Sequence, residues 1–313
     1  MKFAAFVDEN DALFSIKDYV LSLRNVGDFS LIVDSADNFT SKVIPFLENN
    51  LNSLVFIFCS DPSRLIKQLK VVSKYLKISD DKVIASQNDL IARLSFDLKM
   101  EESKKKKSSL DKLIGTQTHK LLDLGSLTDY VHYPLSSIRY ENSVLEPLAR
   151  DASFGIIDFN SVKISEFNAS ISASSSGFTC EEICTVASTF AQSPNMKIIS
   201  FTGFRKPLEG FSSTDINFLG QVCWYAMNGT HYRVPEDPND GLEGFDRFTP
   251  VDLEYFDGIL EFIKSKKTGK WWVHIKDKRN FFIPCSFIEY KAMNNNEWDD
   301  QWLNRINAHI SAN

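Results

Sequence analysis

Short apolar runs that alternate with helix-period segments constrain this sequence more than any other feature. Leu54–Cys59 (LVFIFC) and Phe154–Ile157 (FGII) carry no polar side chain, so a strand built from either has no face suited to water. The first run leads into Asp61-Pro62, a helix N-cap followed by proline at the first helical position. Leu65, Ile66, Leu69, Val72, Tyr75 and Leu76 then recur at helical spacing. Apolar residues at Leu31–Val33 and a short stretch at Lys82–Ala85 continue the alternation. The pattern predicts an α/β protein with a mostly parallel sheet covered on both faces.

Further along, Thr179 and Glu182 form a T-x-x-E capping box that predicts a helix through about Phe190. Cys180 and Cys184 share one face of it, and small packed side chains are preferred there to a metal or redox pair. Met196–Thr202 reads as a strand, and Asp215–Met227 as a helix that turns Phe218, Leu219, Val222, Trp224 and Tyr225 inward. Leu260–Ile263 and Trp271–Ile275 flank SKKTGK, where Gly269 suits a hairpin loop. Of Trp271 and Trp272, one is expected in the core and the other over an edge or a subunit contact. Ser286 and Glu289 make a second capping box, and an amphipathic helix from about Trp298 to Ile310 closes the chain.

No Pro-, Gly- or Ser-rich linker divides the sequence, so a single domain over 1–313 is expected, with KMEESKKKKSS at 99–109 as a charged surface loop. A net charge of -6 and a pI near 5.5 argue against nucleic acid or an anionic membrane as partner. Leu54–Cys59, the longest apolar run, is too short to span a bilayer. Asp8, Glu9 and Asp11 directly follow the mildly apolar Met1–Val7, which disfavours a cleaved signal peptide, and five cysteines fit a reducing compartment. The expected location is cytoplasmic.

The chemistry-bearing stretch is FGIIDFNSVKISEFN, Phe154–Asn168. It places Asp158 at the C-terminal end of a buried strand, where open parallel sheets put ligands. Asn160 lies two residues on, where a second aspartate would make a carboxylate pair for a hard cation. The structural reading of Asp158 is a strand-end carboxylate satisfied by backbone N–H groups, Lys163 or Arg139.

Several pieces in order resemble the arginase, agmatinase and formimidoylglutamase family of ureohydrolases, and its formimidoylglutamase-like branch from Bacteroidetes-type bacteria in particular. They are IGTQTH at Ile114–His119, EPLARDASFGIIDFNSV at Glu146–Val162, SGFTCEEICTVA at Ser176–Ala187, and FIKSKKTGKWWVHI with FIPCSFIEYKAMNNNEWDDQW between Phe262 and Trp302. The resemblance implies a three-layer α/β/α sandwich around an eight-stranded parallel sheet, assembly as trimers or hexamers, and, in active members, two manganese ions that activate a bridging water. The family's three ligand motifs are altered here. Asp61 stands where the first motif has histidine. The second motif corresponds to Ala85, Gln87 and Asp89, and keeps only its last carboxylate. The third keeps Asp158 and has Asn160 for its second aspartate. The family glutamate that pairs with the substrate's cationic group falls at Phe204, counting back from Pro207.

A dimanganese centre needs about six side-chain ligands, mostly carboxylates and imidazoles. The expectation is therefore a ureohydrolase-like protein without manganese or hydrolase activity, a binding or scaffolding homologue that assembles with itself or with an active relative. The alternative is a working hydrolase of linear amidines with one Mn2+ on Asp61, Asp89 and Asp158, and His119 or His132 as proton shuttle. A third reading, Cys59 as a nucleophile at a strand-to-helix turn, ranks below its reading as a small packed residue.

Overall fold

Every residue of β3 (Leu54–Phe58) and β7 (Phe154–Asp158) is buried, as a strand without a polar face requires. The computed structural model describes residues 2–7, 11–23, 28–33, 39–50, 52–86, 111–117, 131–172, 174–205, 211–249, 259–276, 281–295, 297 and 300–312. The remaining strands of the main sheet are β1 (Lys2–Val7), β2 (Asp28–Val33), β4 (Lys82–Ala85), β5 (Lys112–Thr116), β6 (Val131–Pro134) and β8 (Ile198–Thr202). Their order is β2-β1-β3-β8-β7-β4-β5-β6, and every neighbouring pair is parallel. This is the eight-stranded parallel sheet of a three-layer α/β/α sandwich.

Helices cover both faces. On one side α1 (Asp11–Ser22), α4 (Leu135–Tyr140), α5 (Leu145–Arg150), α6 (Cys180–Gln192) and α7 (Ser213–Gly229) pack with Leu54, Phe56 and Phe58 of β3 and Ile157 of β7. On the other, α2 (Phe39–Asn49) and α3 (Pro62–Leu76) contribute Val43, Leu47, Leu65, Leu69 and Val72 against Val55, Ile57 and Ile156. The capping signals act as the sequence suggests. Asp61 caps α3 by accepting from the Ser63 and Arg64 backbone N–H groups, and Thr179 and Glu182 form a reciprocal capping box on α6. Two side chains assigned to inward faces are corrected: Tyr75 on α3 and Tyr225 on α7 are exposed, because the stripe each helix buries is narrower than its apolar pattern.

The C-terminal part forms a second sheet, antiparallel, in the order β12-β11-β10-β9, from β9 (Phe245–Phe248), β10 (Ile259–Ser265), β11 (Trp271–Lys276) and β12 (Phe281–Cys285). The β10–β11 hairpin turns at Gly269, whose φ of 72° favours glycine. Helices α8 (Phe287–Asn294) and α9 (Asp300–Ala312) cover this sheet with Met293, Trp302 and Ile306. Both tryptophans of β11 are buried, which corrects the expectation that one lies over an edge. Trp271 stacks on Tyr290 at 4.5 Å, and the Arg150 guanidinium sits 4.4 Å from the Trp272 ring. Among the described residues, no helix is long and apolar enough to cross a membrane. The charged stretch at 99–109 lies outside the described residues.

Two arginines clamp the second sheet to the first. Arg150 on α5 pairs with Glu146 and donates to the Trp271 carbonyl at 2.8 Å. Arg305 on α9 donates to Glu289 Oε1 at 3.1 Å, to the Tyr133 hydroxyl of β6 at 3.5 Å and to the Pro284 carbonyl. Arg305 and Glu289 are both buried, so removing one leaves the other as an uncompensated charge. Arg305→Ala is expected to lower the unfolding free energy by about 3–5 kcal/mol in urea titration. Arg305→Ala with Glu289→Ala should cost less than the sum of the single changes, because the second removes the charge that the first strands.

Candidate functional site

The C-terminal ends of β3, β8, β7 and β4 lie side by side, where a parallel sheet opens a crevice for ligands. The printed register pairs Asp158 with Thr202, and one step past Phe58–Phe201 and Ala85–Ile157 it aligns Cys59 and Ser86 with them. Cys59, Thr202, Asp158 and Ser86 thus form one row on the side covered by α3. The row continues an apolar one, Ile57, Ile156 and Ile84, in which Ser200 is the polar member.

Asp158 is 1% exposed, and protein donors reach both its oxygens. The Asn160 backbone N–H donates to Oδ1 at 3.0 Å, and the Ser86 hydroxyl donates to Oδ2 at 2.8 Å. Asp158 thereby caps the short 3-10 turn Phe159–Ser161, and the Ser161 hydroxyl donates back to its carbonyl at 2.6 Å. Arg139, one of the partners expected for Asp158, is engaged elsewhere: it holds Glu182 at 2.7 and 3.0 Å and donates to the Gly177 carbonyl. The turn itself brings one backbone N–H to the carboxylate.

Asn160 works as a staple. Its side-chain carbonyl accepts from the Ser172 backbone N–H at 2.8 Å, drawing in a loop that is pinned to β8's exit by Ile171 N–H to Gly203 O at 3.0 Å and Arg205 N–H to Ala169 O at 2.8 Å. Gly203 lies directly against the carboxylate. Its φ is +79°, and a Cβ built on it would stand 1.9 Å from Asp158 Oδ1 and 2.8 Å from Asn160 Nδ2.

The opposite side of the sheet end is aromatic. Phe204 is buried, with its ring centroid 6.5 Å from Phe58, 6.4 Å from Phe159 and 6.0 Å from Phe211. Phe201 joins the group 4.9 Å from Phe58, and Phe167 lies 4.7 Å from Phe159. Each such pair adds about 0.5–1.5 kcal/mol beyond area burial. Ala85 belongs to this same apolar side.

The other sequence candidates separate from Asp158. Asp61 caps α3 with Oδ1. Cys59 is buried, and its thiol donates to the Asp61 carbonyl at 3.2 Å, in keeping with a packed residue. His132 is on β6, three strands from β7 and so roughly 14 Å away by strand spacing; burial lowers its pKa. On α6, burial pushes the Cys180 and Cys184 thiols up to about 12, the opposite of a reactive pair. Gln87, Asp89 and His119 lie outside the described residues.

Ser86, Ser200, Thr202 and Gly203 join the site only through the register, and nothing in their sequence context marks them. Ser200 Oγ and Thr202 Oγ1 are fully buried without a hydrogen-bond partner among the described residues. Among the described residues, no group of three or more His, Cys, Asp or Glu side chains is placed to hold a metal ion. The donors around Asp158 are hydroxyls, an amide and backbone N–H groups, with Gly203 filling the space off Oδ1. This set does not fit a pair of manganese ions, which require several anionic or imidazole ligands.

Because a side chain at position 203 meets both an unfavourable φ and a buried carboxylate, Gly203→Ala is expected to destabilise by at least about 2 kcal/mol. Gly244→Ala, where nothing lies within 4 Å of the added carbon, should stay within about 0.5 kcal/mol of wild type. Urea titration of both variants compares them directly.

By sequence, the chain matches no protein-family model and no curated protein. By structure, it is similar to formimidoylglutamase from Bacillus subtilis, with a TM-score of 0.57 at 12% identity, over 74% of this chain and 88% of that one. Formiminoglutamase from Trypanosoma cruzi, in a structure with Mn2+, gives 0.59 at 12% identity over 74% and 93%. Agmatine ureohydrolase of Thermoplasma volcanium gives 0.53 at 9% identity over 74% and 90%. With its sheet order and its two helical layers, the chain therefore has the arginase-like α/β/α fold.

Proposed function

We propose that this protein is a non-catalytic relative of the ureohydrolases, a binding or scaffolding homologue that keeps their fold without their dimanganese centre. The observation that carries the reading is the state of Asp158: a buried carboxylate with protein donors on both oxygens and the Gly203 backbone against one of them. A metal-binding carboxylate needs a lone pair directed at open space and further anionic ligands beside it. Asn160 supports the same reading, since its side-chain oxygen is bonded to the Ser172 N–H.

The aromatic side supports it independently. A glutamate at position 204 would have to ionise among Phe58, Phe159 and Phe211, where an unpaired charge is costly. Phenylalanine stabilises that space and removes the anion that would hold a cationic substrate. On this reading the retained fold serves assembly, with copies of itself as a trimer or hexamer or with an active homologue in the cytoplasm. No step of hydrolysis is assigned to any residue.

The test is metal retention. Purified protein is incubated with Mn2+, desalted and measured by mass spectrometry, with less than a tenth of an equivalent of manganese expected, roughly the level of adventitious binding to lone surface carboxylates. Near-stoichiometric manganese that is lost in Asp158→Asn would overturn the proposal and favour the single-metal amidine hydrolase. Multi-angle light scattering on the same sample gives the oligomeric state that the scaffolding role predicts to exceed a monomer.

A further inference from the structure

Away from the sheet end lies a cavity of about 430 Å³ in the cleft between the edge of the parallel sheet and the two helices that cover the second sheet. Its walls come from β6 and α4 on one side and from α8 and α9 on the other. Ligand sites favour such clefts between packed units, and this volume falls in the range that small molecules occupy.

The lining has two parts. The floor is apolar and aromatic, with Tyr133, Val144, Ala292 and Trp302. Its polar groups are already satisfied from within: Glu289 pairs with Arg305, and the Tyr133 hydroxyl accepts from the same guanidinium. The rim carries Glu141 and Glu297, and among the described residues no lysine, arginine or histidine lines the cavity. Glu141 accepts from the Ser143 backbone N–H, a neutral donor, and no ion pair holds it among the described residues. Two of the residues that line it are large, apolar and exposed: Tyr140, which is 93% exposed, and Ile288 on α8. Large apolar residues left in water around a concave apolar surface mark a binding site more often than chance exposure.

From the apolar floor, the negative rim and the exposed aromatic mouth, we infer that this cleft binds a small organic cation with an apolar or aromatic body, its ammonium group held by Glu141 and Glu297 over the Tyr140 ring. The body enters against Trp302 and Val144. The charged end stays at the partly hydrated rim, where two carboxylates and an aromatic face attract it without full desolvation. An anionic ligand of the same shape meets two like charges and, among the described residues that line the cavity, no cation.

Three indoles of matched shape test this with the full-length protein by isothermal titration calorimetry: tryptamine, neutral tryptophol and anionic indole-3-propionate. Tryptamine should bind most tightly, tryptophol more weakly, and indole-3-propionate not measurably. Glu297→Gln should weaken tryptamine by roughly two- to fivefold, the effect of one exposed ion pair, and leave tryptophol unchanged. Tyr140→Ala should weaken both. Positions 140 and 297 are exposed, so neither change threatens folding, and Ala292→Trp should block all binding by filling the floor. Equal affinity for the amine and the carboxylate, tryptamine binding that Glu297→Gln and Tyr140→Ala leave unchanged, or no heat from any of the three would overturn the inference.

Discussion

The parallel pairing of β8 between β3 and β7 is the constraint on which the rest of the molecule depends. Strands from distant parts of the chain become neighbours, and each presents apolar residues to both helical layers. Parallel strands cannot be joined by tight turns, so the connections run over the faces of the sheet, and among the described residues α1, α2, α3, α4, α5 and α6 lie in them and cover it. All strand ends of one polarity then collect along one edge. Asp158, Thr202, Ser86 and Cys59 meet there because the register aligns them.

What that edge can do is decided by the residues set on it. One side is a row of hydroxyls, a thiol and one carboxylate, and the other is a group of phenylalanines. The carboxylate accepts from a backbone N–H and a serine hydroxyl. Two manganese ions in the same place would need more negative charge than one aspartate provides, and the phenylalanines would have to give up close ring contacts for it. The structure instead resolves the sheet end as packed interior, in which Gly203 and Asn160 tie the loop from Val162 to Phe178 over the strand ends.

The second sheet follows a different logic. It has its own core around Phe262, Trp271, Val273 and Trp302, and among the described residues polar contacts of Arg150, Arg305 and Lys270 join it to the parallel sheet and its helices. Arg150 lays its guanidinium on Trp272 while pairing with Glu146, so charge and stacking act on one side chain. The cleft between α4 and α9 opens beside this joint.

The strands at Leu54–Phe58 and Phe154–Asp158, the Asp61-Pro62 start of α3 and the two capping boxes were legible in the sequence, because each depends on neighbours within one turn or one strand. The arginase-like layer order was legible through resemblance. Tyr75 and Tyr225 were misplaced because the width of a buried helical stripe is set by what packs on it. The role of Ser86, the approach of Gly203 to Asp158 and the arginine clamps were not legible, since they join distant positions: Ser86 and Asp158 are 72 apart, Arg150 and Trp271 121, and Arg305 and Tyr133 172. Sequence by itself determined which segments become strands and helices and which side chains stand at the strand ends. Only the tertiary structure decided that Asp158 is satisfied by Ser86 and its own turn, because hydrogen-bond partners across a parallel sheet are fixed by register, and register is a property of the assembled strands.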